Sequence, residues 1–240
     1  MIETSRIKAI LFDSGHVLNR PKTGHWFIPP NFFKYVNKEV FDTISDETLD
    51  IAFHKGMDYL ESKNLVVNEE EELEHFCHFY RLSLLELPGI GLGEYEIKKI
   101  AEDTVLNDEK FFFFEDVFDI LPRLRQKYAL GVVSDTWPSL NRVFKNVGLR
   151  KYFSTFVMSS ILGVLKPHEL MFNTALMELG LKAEEALFID DNIKNLEGAK
   201  TLGMQTLLMV REGNPNKSHT EYEYITSLNN LEQLLNVSQK

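Results

Sequence analysis

"KAILFDSGHVLNRP", residues 8–21, is the stretch from which the fold can be read. An apolar run ends at Phe12, and Asp13, Ser14, Gly15 and His16 follow at once. A short run of Ile, Leu and Phe bounded by turn-forming residues has the character of a strand buried on both faces. A carboxylate where such a strand stops stands at the sheet edge at which an open α/β fold binds ligands.

Similar runs recur at residues 130–133, 155–158, 186–189 and 205–210, and the first spans 7–12. Between them, residues 116–126, 139–146, 168–179 and 192–202 place apolar side chains three and four apart, and Gly148, Gly180 and Gly203 stand where those helices should end. Strand and helix in alternation predict an α/β fold with a doubly wound parallel sheet of Rossmann-like type. Residues 20–106 break the pattern, because their amphipathic stretches at 46–59, 69–85 and 94–104 predict helices. The expected organisation is a core of residues 1–19 and 107–240 with a helical insertion at 20–106. Asn68 before Glu69, Glu70, Glu71 and Glu72 is a helix start, with carboxylates against the positive end of the dipole, and is read as a solvated first turn. "KFFFF", residues 110–114, is expected to re-enter the core as buried packing.

With 240 residues, 44% hydrophobic, the chain can bury a substantial core. Its net charge of -10 argues against nucleic acid as the main partner. No apolar run approaches the length that spans a bilayer or resembles a signal peptide, so no membrane partner is expected. With a lone Cys77 as well, the expected location is cytoplasmic.

Asp13, Ser134, Asp190 and Asp191 all fall at the carboxyl ends of expected strands and should converge there. Gathering buried carboxylates is costly unless a cation compensates them, and a hard divalent ion such as Mg²⁺ would also attract a phosphate. Lys166, in "GVLKPHELMF", is expected to follow a strand, precede a helix and point into the same crevice. Taken singly, each residue has a plainer role. Ser134 could end its strand in a turn, Asp135 could cap the next helix, Lys166 could lie on the surface, and Asp190 and Asp191 could be N-caps. Those roles leave unexplained why all of these residues fall on one edge.

In these segments the chain resembles the haloacid dehalogenase superfamily, in its phosphatase branch. "ILFDSGHVL" is similar to the first motif, the serine of "GVVSDTW" to the second, the lysine of "LKPHELMF" to the third and "FIDDNIKNLEGAKTLGM" to the fourth. The resemblance implies that Asp13 attacks phosphorus and forms an aspartyl phosphate. It implies Mg²⁺ held by Asp13, the Gly15 carbonyl and the Asp190 and Asp191 pair. Ser134 would donate to a phosphoryl oxygen, Lys166 would offset developing charge, and Asn195 would orient Lys166 or a metal-bound water. The insertion at 20–106 sits where this superfamily places a helical cap, and the implied activity is a Mg²⁺-dependent phosphatase acting on a small phosphorylated metabolite such as a sugar phosphate, with the cap closing over the site.

One departure stands out. Phosphatases of this superfamily usually carry a second aspartate two residues after the nucleophile, as general acid and base, and here that position is Gly15. Such catalysis is typically worth about 10² to 10⁴ in rate, so substrates with good leaving groups should suffer least. A first motif with glycine here resembles a subgroup that includes sugar-1-phosphate phosphatases. His16 is the candidate replacement acid and base, against the alternative of turn contacts. Two further functions stay open: a regulatory protein that binds a phosphorylated ligand without turnover, which Gly15 favours, and a 2-haloacid dehalogenase, which the acidic pair disfavours. His75, Cys77 and His78 lack the further ligands that a zinc site needs. The aromatics of "HWFIPP", residues 25–30, are expected to pack within the cap more readily than to touch substrate.

Overall fold

The computed structural model describes residues 2–211 and 222–235. In chain order the elements are β1 (Ala9–Phe12), β2 (Asn19–Pro21), α1 (Lys38–Phe41), α2 (Asp46–Glu61), α3 (Glu69–Leu84), α4 (Glu94–Val105) and β3 (Phe111–Phe113). There follow α5 (Glu115–Leu124), β4 (Ala129–Ser134), α6 (Ser139–Asn146), β5 (Thr155–Met158), α7 (Ser159–Leu162), α8 (Glu169–Leu179), β6 (Ala186–Asp190), α9 (Ile193–Thr201), β7 (Gln205–Met209), β8 (Tyr224–Ile225) and α10 (Leu228–Leu234).

Six strands form one sheet in the order β5-β4-β1-β6-β7-β8, and every pairing in it is parallel. The hydrophobic run before Asp13 makes the central strand: all four residues of β1 are fully buried, as burial on both faces demands. Helices bury their apolar stripes against this sheet, with Met171, Phe172 and Ala175 of α8 beside Phe188 and Leu208 of the strands. Gly180 ends α8 with φ +65°, a left-handed conformation that favours glycine. β1 is shorter than the apolar run, since Ile7 and Lys8 precede the ladder.

The chain divides into two compact units, one of residues 1–20, 113–136 and 140–240 and one of residues 21–112 and 137–139. The second is helical, and Phe76, Phe79, Tyr80 and Leu84 of α3 form its core with Ile97, Ile100 and Ala101 of α4. At Gly56 a Cβ would lie 2.6 Å from the Phe79 ring, so glycine permits the close approach of α2 and α3. The Asn68 side chain accepts the Glu71 N–H, capping α3 as its sequence predicts.

Two features of this unit depart from the sequence reading. Glu72, the last of the four glutamates, is not part of a solvated turn: it is 1% exposed and accepts the Ser139 N–H at 2.8 Å and the Ser139 hydroxyl at 2.7 Å. The expectation of uniform burial across "KFFFF" also fails. Phe113 is buried but Phe112 is 41% exposed, and it is Lys110 that goes inside, its Nζ 5.5 Å from the Phe76 ring centre. Burial pushes the Glu72 carboxyl up to about 7 and the Lys110 ammonium down to about 8.

Candidate functional site

β1 ends with Phe12 level with Val132 of β4 and Ile189 of β6. The register places Asp13 one residue beyond the ladder, beside the ends of β4 and β6, where Ser134 and Asp190 are the last residues. The Asp13 N–H still donates to the Ile189 carbonyl at 2.9 Å, which fixes the direction in which the carboxylate leaves the sheet. Asp13, Asp190 and Asp191 each present a carboxylate oxygen within 4.8 Å of the others. Ser134 is buried at the same edge.

Lys166 binds this group together. Its Nζ donates to Asp13 Oδ1 and to Asp190 Oδ2, each at 2.7 Å, with its side chain only 1% exposed. Its Nζ also lies 5.4 Å from the centre of the Phe188 ring. It does not follow a strand directly: α7 and the left-handed Gly163 lie between β5 and this loop. The Lys166 N–H donates to Asp135 Oδ1 at 2.8 Å, so Asp135 secures the lysine loop. Asn195 donates from Nδ2 to Asp190 Oδ2 at 3.1 Å, and the Asn192 N–H donates to Asp190 Oδ1 at 2.8 Å. Asn195 therefore touches Lys166's carboxylate partner.

One ammonium does not balance these acids. Burial raises Asp190 above the ordinary carboxylate range, with the pull of Lys166 opposing it. Asp191 is pushed up to about 8, first by burial and then by the charges of Asp13 and Asp190. Asp135 rises to about 6, again chiefly through burial. Burial also works against the charge of Lys166, but Asp13, Asp190 and Asp135 outweigh it and hold the ammonium above its usual range. The cluster is thus an anionic recess short of positive charge.

The turn after Asp13 is closed on itself. The Leu18 and Asn19 N–H groups donate to the Ser14 carbonyl at 2.9 and 3.1 Å, and the His16 N–H donates to the Asn19 carbonyl at 2.6 Å. Asn19 Nδ2 donates to Ser14 Oγ at 2.7 Å. His16 has φ +54°, the left-handed region in which a side chain is strained. Burial lowers its imidazole pKa, the charge of Asp13 opposes that, and Arg20 adds to it.

The other sequence candidates lie elsewhere. His75 Nδ1 is 2.8 Å from the Tyr59 hydroxyl and the His78 ring is 4.2 Å from that of Tyr59, both within the helical unit. Phe27 packs 4.8 Å from Phe79, and Trp26 5.6 Å from Phe111. Sequence reasoning missed Gly198 of α9, where a Cβ would lie 2.3 Å from Pro167 Cβ, beside Lys166. The available signal was a glycine inside a helix, which costs about 1 kcal/mol against alanine unless packing requires it.

Fold and charge cluster together define a Rossmann-like α/β protein with three carboxylates and a buried lysine gathered where its central strands end. The haloacid dehalogenase-like hydrolase family matches residues 37–209 of this chain. The chain is 26% identical over 242 residues to a glyceraldehyde 3-phosphate phosphatase of Methanocaldococcus jannaschii, covering 96% of each protein. It is 32% identical over 218 residues to the protein of the same name from Methanopyrus kandleri, covering 85% of this chain and 84% of that one. In fold it is similar to a HAD phosphatase from Thermococcus onnurineus, with TM-score 0.63 at 21% identity over 98% of this chain and 100% of that one. A 2-haloacid dehalogenase from Pseudomonas syringae gives TM-score 0.64 at 19% identity over 96% and 98% of the two chains. The chain belongs to the haloacid dehalogenase-like hydrolase family.

Proposed function

We propose that this protein is a Mg²⁺-dependent phosphatase of small sugar phosphates, working through an aspartyl phosphate on Asp13. The observation that carries the reading is the Lys166 ammonium shared between Asp13 and Asp190 at 2.7 Å, beside Asp191. The names of the relatives favour a triose phosphate as the substrate class.

The residues fit a hard cation. Three carboxylates within 4.8 Å, one of them forced up to about 8, form a set of oxygen donors whose charge a single lysine does not cancel. Asp13, Asp190, Asp191 and the Gly15 carbonyl would hold Mg²⁺, which when bound supplies the charge that lets an anionic nucleophile approach an anionic phosphate.

With Oδ1 held by Lys166, Asp13 Oδ2 is the oxygen that attacks phosphorus. A P–O bond to Asp13 forms as the P–O bond to the sugar breaks, and the departing alkoxide takes a proton from solvent water. Water then attacks the aspartyl phosphate, releases inorganic phosphate and restores the carboxylate. Lys166 and the Ser134 hydroxyl donate to the charge that spreads over the phosphoryl oxygens in both steps. Asp135 and Asn195 hold Lys166 and Asp190 in place. Gly15 supplies no side-chain acid for the departing alkoxide, and a neutral His16 imidazole is our candidate for taking the proton from the attacking water.

The test is phosphate release from an activated aryl phosphate and a panel of triose and larger sugar phosphates, with and without Mg²⁺, for wild type and Asp13→Asn. Metal-dependent turnover that vanishes in the variant is expected. Binding of Mg²⁺ and phosphate without turnover would replace this reading with that of a ligand-binding protein.

A further inference from the structure

Arg211 lies two residues beyond β7, buried, with no part in the chemistry just described. Its Nε and Nη2 donate to one acceptor, the Val17 carbonyl, at 3.2 and 2.9 Å. Its Nη1 donates to Asp116 Oδ2 at 2.7 Å, and its guanidinium carbon lies 4.1 Å from the centre of the Phe114 ring. Asp116 Oδ2 also accepts the Leu228 N–H at 2.7 Å, which anchors the pair to the start of α10. We propose that Arg211, aimed by Asp116, is a positioning residue that fixes the turn after Asp13 and so the Gly15 carbonyl; this rests on the phosphatase reading.

Three observations support it. First, the turn is held from outside at two adjacent carbonyls, Val17 by Arg211 and Leu18 by the Phe114 N–H at 3.2 Å. Ser14 and Asn19 carbonyls close the turn internally, and the Gly15 carbonyl is not among these acceptors. Second, the turn contains His16 at φ +54°, and a strained residue persists only where its surroundings over-determine it. Third, a buried ion pair is weak evidence for stability, whereas a planar fork that grips a single carbonyl fixes direction. Partners that orient a metal ligand typically matter 10- to 100-fold in affinity or activity.

Removing Arg211 alone would leave Asp116 buried without its cation and could unfold the protein, so the main variant is Arg211→Met/Asp116→Asn. It discards both charges yet keeps an oxygen for the Leu228 N–H. Four quantities are measured: the thermal midpoint, Mg²⁺ affinity by calorimetry, deuterium exchange of amides 15–19 in metal-free protein, and steady-state hydrolysis of an aryl phosphate. We expect a midpoint near wild type, Mg²⁺ affinity and kcat each lower by about tenfold or more, KM within about twofold, and faster exchange confined to the turn. Arg211→Lys keeps the charge but loses the fork, and should show the same losses.

A folded double variant with wild-type Mg²⁺ affinity and wild-type exchange overturns the inference while the phosphatase reading stands. Full recovery by lysine overturns it too, since charge alone would then suffice. A wild-type protein that neither binds Mg²⁺ nor releases phosphate sinks the phosphatase reading itself, and this inference with it.

Discussion

Lys166 and Asp13 meet in a buried ion pair of 2.7 Å, although 153 positions separate them in the chain. The charges of Asp13, Asp190 and Asp135 hold the Lys166 ammonium, and two separable effects are expected of its removal. Lys166→Met should lower kcat by about 10²–10³, as expected for a donor aimed at transition-state charge. It should also lower the thermal midpoint of metal-free protein, because buried carboxylates lose their counter-charge. Added Mg²⁺ should restore the midpoint but not kcat. Near-wild-type turnover would remove Lys166 from the chemistry.

Gly15 is absent from the residues with positive φ, so a side chain meets no left-handed backbone there. Gly15→Asp should therefore supply the missing acid and base, raising kcat for alkyl phosphates by about 10² while leaving aryl phosphates nearly unchanged. His16→Ala should cost about tenfold or more if the imidazole serves as base. Equal kcat in His16→Ala and wild type would end its candidacy.

Gly198 admits the Pro167 ring against α9, and a methyl group would meet Pro167 Cβ at 2.3 Å and its carbonyl oxygen at 3.2 Å. A proline ring yields little, so Gly198→Ala should push away the segment that carries Lys166. The expected cost is about 1–3 kcal/mol of stability from overpacking, with a fall in kcat larger than any change in KM. Kinetics matching wild type in a folded variant would show that the segment accommodates the methyl group elsewhere.

Glu72 gives a pH signature distinct from that of the carboxylate cluster around Lys166. Its carboxyl is pushed from an ordinary 4.5 up to about 7 in the folded protein, so between those values the folded state keeps a proton that the unfolded state has lost. Stability from this group is therefore full below about pH 4.5 and falls as pH rises toward 7. Lys110, lowered from 10.5 to about 8, acts at higher pH: its contribution improves from about 8 to 10.5. Gln copies the protonated carboxyl and does not titrate, so the thermal midpoints of wild type and Glu72→Gln, without metal, should lie close together near pH 4.5 and separate toward pH 8 as wild type falls. Parallel curves would show that Glu72 does not titrate in this window.

Much of the architecture is legible in the sequence. The strand at 155–158 and the helix at 139–146 have the bounds that periodicity predicts, and Asn68 caps α3 as its side chain requires. Asp13 and Asp190 meet at one sheet edge because each stands where an apolar run meets a polar residue, and parallel strands bring such points together. These are local properties: side-chain periodicity, caps and turn chemistry act within a few residues and are written in the order of the chain.

Only the tertiary structure decided which distant groups meet. Glu72 shares the apolar stripe of α3 with Phe76, Phe79 and Tyr80, yet no local signal shows that Ser139 would meet its carboxylate there. The apolar company of Phe111–Phe113 hid the burial of Lys110, and a lone arginine after β7 gave no sign that two of its nitrogens would reach the Val17 carbonyl. Gly198 matters only because Pro167 arrives beside it. Such contacts depend on how helices and strands far apart in sequence pack, and the free energy of that packing is a property of the assembled core.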